Sequence, residues 1–109
     1  NTNAPQVVQA PVQAQAWDPA GMEGGMQVFN MPNPFNGETN IVVELARPQV
    51  ATLRVFDGTG RQVAELHNGM LDAGRHPFLF DASHLPAGLY YYTLAAGGEV
   101  KTGKMLHVR

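Results

Sequence analysis

Residues 51–66 read Ala51-Thr52-Leu53-Arg54-Val55-Phe56-Asp57-Gly58-Thr59-Gly60-Arg61-Gln62-Val63-Ala64-Glu65-Leu66. Ala51, Leu53 and Val55 alternate with Thr52, Arg54 and Phe56, the two-residue period that puts one set on each face of a strand. Asp57-Gly58-Thr59-Gly60 then reads as a hairpin turn, because glycine accepts positive φ, and Arg61–Leu66 returns as a second strand.

The same punctuation extends outward in both directions. Upstream, Thr39–Leu45 places Ile41, Val43 and Leu45 on one face and Asn40, Val42 and Glu44 on the other. Downstream, Asn68-Gly69 and Ala73-Gly74 bracket the next turn, and His76–Asp81 carries Phe78 and Phe80 on one side. Leu85-Pro86-Ala87-Gly88 breaks the chain before Leu89–Ala95, and Gly97-Gly98 turns it into Glu99–Val108. With Met26–Asn30 in front, this makes about seven short strands spaced by about 10 residues. No segment sustains a 3.6-residue period with helix caps. The connections are too short for parallel crossovers, which need a dozen or more residues. The expected fold is all-β, an antiparallel immunoglobulin-like β-sandwich. Alternation predicts a core of Ile41, Val43, Leu45, Leu53, Val55, Val63, Phe78, Phe80, Tyr90, Tyr92 and Leu94. On the last strand the apolar residues Leu106 and Val108 are expected to face in, with His107 and Arg109 outside.

The whole chain has 109 residues, of which 44% are hydrophobic and 15% charged. That suits one domain with a single core and is too apolar for wholesale disorder. Broken apolar runs exclude a membrane helix. There is no initiator Met, basic n-region or apolar h-region, so a signal peptide is not expected and the chain reads as part of a larger protein. Cysteine is absent, which removes disulfides, thiolate zinc sites and a cysteine nucleophile from consideration. The net charge is −2, and Asp18 and Glu23 lie in a stretch without Lys or Arg, so the remainder is neutral. A neutral domain has no electrostatic footprint for nucleic acid.

Residues 1–25 differ from the rest. Ala, Gln, Pro and Val dominate, Pro5, Pro11 and Pro19 are spaced along the segment, and Gly24-Gly25 closes it. This composition predicts a flexible Ala/Gln/Pro linker ahead of a sandwich over residues 26–109. Trp17 is the exception, read as an exposed or loosely docked linker residue, with a ring that anchors the linker or binds a partner as the alternative.

Little in the sequence supports catalysis or a cofactor. Asp81, Ser83 and His84 have the residue types of a hydrolytic triad but crowd into one short loop, and no nucleophile elbow surrounds Ser83. They read as turn formers. His67, His76, His84 and His107 lack metal-ligand spacing and are each expected at the surface or in a turn. No calcium loop is present, and no helix follows a glycine cluster to make a phosphate site. Tyr90-Tyr91-Tyr92 would suit stacking on a sugar ring only if several rings were exposed, whereas strand alternation leaves Tyr91 alone outside.

The ordered punctuation resembles a known family. Asn33-Pro34-Phe35-Asn36-Gly37, Thr39-Asn40-Ile41, Leu53–Val63, Leu71-Asp72-Ala73-Gly74-Arg75-His76, Asp81–Tyr92 and Lys104-Met105-Leu106-His107-Val108-Arg109 occur in the order found in the C-terminal sorting domain of the type IX secretion system. The resemblance covers about residues 27–109. Flagellar hook-capping proteins carry a related immunoglobulin-like module with a similar Asn-Pro-Phe start. What the resemblance implies is an export address: a non-catalytic domain that sends a larger passenger through the outer membrane of a Gram-negative bacterium, via the periplasm, to the cell surface or into the medium as a secreted protein. Its implied partners are the outer-membrane translocon, its shuttle protein and a sortase-like cysteine peptidase that cuts in the linker. Recognition by the translocon would fall on the final hairpin, with Gly88, Tyr90, Tyr92, Lys104, Met105, Val108 and Arg109 as candidate residues. Two other readings stand beside it, an adhesive module of the hook-capping kind and a carbohydrate-binding module of a glycosidase.

Strand-edge physics supplies a recognition mode. An edge strand offers unpaired N–H and C=O groups to a partner, and Lys101, Lys104 and Arg109 add positive charge there; the same lysines also deter edge-to-edge aggregation. The terminal strand is accordingly expected to have a free edge and to give few side chains to the core.

Overall fold

The computed structural model describes residues 25–109; residues 1–24, with the linker expected there and Trp17, lie outside it. Seven strands follow one another: β1 (Met26–Met31), β2 (Glu38–Leu45), β3 (Gln49–Asp57), β4 (Gln62–Leu71), β5 (Gly74–Asp81), β6 (Gly88–Ala96) and β7 (Glu99–His107). No helix occurs among the described residues. The strands form a three-stranded sheet, β1-β2-β5, and a four-stranded sheet, β4-β3-β6-β7, with all ladders antiparallel. Short turns join β3 to β4 and β6 to β7, while β2–β5 and β3–β6 pair strands distant in sequence. β1 lies beside β7 and β4 beside β5 where the layers meet. The expected β-sandwich is what forms.

The core sits between the layers. Ile41, Val43 and Leu45 of β2, Leu53 and Val55 of β3, Phe80 of β5 and Tyr90, Tyr92 and Leu94 of β6 are all buried. Val63 and Phe78 are half-buried against this cluster. Burial of apolar surface at about 25 cal/mol per Å² is the dominant favourable term in such a core.

The hairpin turn at Asp57 is built as its residues require. Asp57 Oδ1 accepts hydrogen bonds from Thr59 N–H (2.9 Å), Thr59 Oγ1 (2.6 Å) and Arg61 N–H (3.1 Å). Gly60 takes φ 89°, a region costly for residues with a Cβ. Three expectations fail. Asn68-Gly69 is not a turn: β4 runs on to Leu71, pairing Asn68 with Thr52 and Gly69 with Ala51. The register slips between Leu53 and Arg54 and between Val55 and Phe56, leaving Leu66 and Val63 as bulged residues on an edge strand. Bulges break alternation and bend an edge away from further pairing. Second, Leu106 and Val108 do not face in: they are 39% and 38% exposed, while Met105 and His107 are 1% and 2% exposed. The β6–β7 register decides this, because Tyr90 lies opposite Met105 and Gly88 opposite His107, and directly paired residues share a face. Third, His107 is therefore a core residue, unlike the exposed His84 and the half-buried His67 and His76.

Candidate functional site

The β6–β7 hairpin and the loops around it hold the residues singled out in the sequence. Burial separates them into two sets. Tyr90, Tyr92 and Met105 are buried between the sheets, at 3%, 6% and 1% exposure. Lys104, Val108 and Arg109 are exposed, and Gly88 is half-buried at the start of β6. The strand period brings Lys104 to the outer face with Leu106, while Met105 and His107 are turned to the core. Tyr92 faces Gly103 across the ladder, and a Cβ on Gly103 would overlap its ring.

The end of the sandwich nearest the C-terminus is an aromatic cluster. His107 stacks on Phe35 with ring centroids 5.0 Å apart and planes 14° apart. Phe35 meets Phe80 edge-on at 6.1 Å, and Phe80 meets Tyr90 edge-on at 6.0 Å. Pro86 C=O accepts from Tyr90 Oη (2.6 Å) and from His107 Nδ1 (3.1 Å). A carbonyl cannot donate, so this contact fixes the Nδ1–H tautomer of His107. Tyr90 Oη and His107 Nδ1 thus share one acceptor, which offsets part of the cost of burying them. Arg109 Nη2 donates to Leu85 C=O, tying the last residue to the same loop. Burial pushes the phenols of Tyr90 and Tyr92 above their ordinary 10.0.

The outer edge of β7 is covered over its C-terminal half. Asn33 Oδ1 accepts from Leu106 N–H, and Asn33 Nδ2 donates to Lys104 C=O, both at 3.1 Å. Phe35 N–H donates to Leu106 C=O at 2.9 Å, and Phe35 C=O accepts from Val108 N–H at 2.8 Å. The Asn33–Phe35 segment thereby acts as a short extra strand, parallel to β7 at His107. The expected free edge is closed here. Sequence reasoning found the Asn33-Pro34-Phe35 motif but not its task, and left Phe35, 1% exposed, out of the core. A bulky aromatic set between turn residues was the available signal.

Among the described residues, Asp81, Ser83 and His84 form a turn. Asp81 Oδ1 accepts from Ser83 N–H at 3.0 Å, an Asx turn, and Ser83 and His84 are exposed. The Ser83 hydrogen bonds hold the Asp81 carboxyl below the usual 3.8, and those from Thr59, with Arg61 nearby, do the same for Asp57. A shallow groove of about 260 Å³ runs between Asp57–Thr59 and Pro86–Tyr90. Its one carboxylate is already occupied by Thr59 and Arg61. Among the described residues no group of His, Cys, Asp or Glu is placed to hold a metal ion.

Comparison with known proteins gives three findings. No curated protein matches the chain. The crystal structure of dimeric latent PorU from Porphyromonas gingivalis contains a region of the same fold, with a TM-score of 0.59 and 19% identity over 76% of this chain and 9% of that one. At that identity the likeness is one of fold. A family model described as the secretion system C-terminal sorting domain matches residues 29–108, from the middle of β1 to one residue beyond β7. The chain belongs to this family, the C-terminal sorting domains of type IX secretion.

Proposed function

We propose that this domain is a non-catalytic address that carries a larger passenger protein across the outer membrane of a Gram-negative bacterium to the cell surface. The observation that supports it is the family match over residues 29–108, which spans nearly the whole sandwich. The partners in this reading are the translocon, its shuttle protein and a sortase-like cysteine peptidase. Residues 1–25 form the linker in which the peptidase cuts, ahead of a sandwich over residues 26–109.

Recognition falls on the β6–β7 hairpin. Of its candidate residues, Lys104, Val108, Arg109 and Gly88 offer accessible atoms, while Tyr90, Tyr92 and Met105 act by holding the hairpin in shape. Fusing residues 1–109 to the C-terminus of a soluble reporter, in a cell with type IX machinery, tests the reading. The reporter should become accessible to external protease and lose the sandwich on arrival. Retention inside the cell would overturn it and favour a plain adhesive module.

A further inference from the structure

A partner can read a terminal strand in two ways, through backbone groups at its edge or through side chains on its face. On β7 the first route is closed at Lys104 C=O, Leu106 N–H, Leu106 C=O and Val108 N–H, because Asn33 and Phe35 take all four. The face is open. Leu106 lies directly opposite Leu89, and Lys104 opposite Tyr91, which in turn pairs beside Phe56. All five belong to the outer side of the four-stranded sheet, since their neighbours Val55, Tyr90, Tyr92 and Met105 point inward. Leu89 is 47% exposed and Leu106 39% exposed, with Tyr91 and Phe56 half-buried around them. Lys104 enters no ion pair among the described residues.

We propose that the export machinery reads this domain through that face, with Leu89 and Leu106 as the apolar anchor and Lys104 as the charge that sets orientation. The inference rests on the sorting function proposed above. The occupant is a protein surface carrying an apolar knob beside a carboxylate. Charge complementarity argues for that chemistry: an unpaired cation stands next to cross-strand leucines, and an apolar centre bounded by a complementary charge is how a binding patch combines affinity with register. The Asn33–Phe35 segment then has a purpose beyond stability. It blocks strand addition at the C-terminal half of β7, so that recognition proceeds by side chains and the domain does not pair with copies of itself.

The experiment compares reporter fusions of residues 1–109 carrying single substitutions, each first shown by thermal melt to keep the wild-type fold. Leu89→Ser, Leu106→Ser and Lys104→Glu should each lower surface-exposed reporter by about tenfold or more, as loss of a central anchor does. Leu106→Met, which keeps the apolar volume, should export as the wild type does. Thr102→Pro removes a donor on the uncovered half of the same edge and should leave export intact, proline being tolerated on the open side of an edge strand. Normal export by the serine and glutamate variants, or loss of export by Thr102→Pro with its fold retained, would overturn face recognition in favour of edge pairing. A wild-type fusion held inside the cell would instead overturn the sorting function itself.

Discussion

Gly103 lies where the Tyr92 ring has to lie. The two are cross-strand partners, the ring covers the glycine, and the phenol reaches Val28 C=O at 3.5 Å on the opposite sheet. An aromatic laid over a cross-strand glycine packs a position that would otherwise weaken the strand. Tyr92→Ala should destabilise the domain by about 3–5 kcal/mol, as truncation of a buried aromatic does. Gly103→Ala should cost about 1–3 kcal/mol, because the new methyl displaces a ring held on both sides. Tyr91→Ala, on the outer face, should cost less than either. Urea melts of the three variants check the order, and a larger loss for Tyr91→Ala would mean that the faces of β6 are reversed. Glu44 and Arg75 make a different kind of pair. They are opposite one another on β2 and β5, with Arg75 Nη2 2.6 Å from Glu44 Oε2, and Glu44 is buried while the Arg75 side chain remains 55% exposed. A buried carboxylate is tolerable there because its counter-charge is held in place by the same ladder.

At the scale of elements, β7 contributes more to the core than its position at the end of the chain suggests. The expectation of few core side chains from it was wrong. Met105 and His107 are both buried, and Phe35 reaches its place by pairing with Leu106 and Val108. Deleting Lys104–Arg109 would therefore remove two core side chains at about 2–5 kcal/mol each, against a total stability of about 5–15 kcal/mol for a domain of this size. The truncated chain should lose its cooperative thermal transition and bind a hydrophobic dye. A sharp melt close to that of the full chain would show that the Phe35–Phe80–Tyr90 cluster closes without β7. Loss of export on truncation alone thus reports unfolding as readily as lost recognition, which is why point substitutions on the outer face are the sharper test. The bulged β4 shows how an edge strand departs from simple alternation: Val63, Ala64 and Leu66 all pack against the core despite their uneven spacing.

For the molecule as a whole, pH acts at both ends of the scale. Asp57 and Asp81 are held below 3.8 in the fold by their turn hydrogen bonds, so the folded state binds fewer protons than the unfolded chain near that pH. Their contribution is present above pH 3.8 and lost as pH falls through the lower folded values. Tyr90 and Tyr92 are shifted the other way by burial; their contribution is full below pH 10.0 and is lost as pH rises through the higher folded values. Midpoints of urea unfolding should form a plateau that drops at both margins. Asp57→Asn should lower the plateau and flatten the acid side, and Tyr92→Phe should flatten the alkaline side. An unchanged acid limb in Asp57→Asn would show that its turn is equally formed in the unfolded chain.

The sequence by itself determined the strand count, the Asp57–Gly60 turn and the inward faces of β2, β3 and β6, because each depends on residues adjacent along the chain: a two-residue period and a turn chemistry. It also carried the family, through motifs kept in order. What it could not decide was anything settled by a distant partner. The inward face of β7 follows from the register with β6, which turns His107 into the core against its polarity and leaves Leu106 outside. Asn68-Gly69 has turn chemistry, yet pairing with β3 keeps it within a strand. The closure of the β7 edge joins Asn33 to Leu106 across 73 positions of sequence. Local propensity sets what an element can be, and only tertiary pairing, which satisfies backbone groups and fills the core together, sets which face it turns inward and which edge it leaves free.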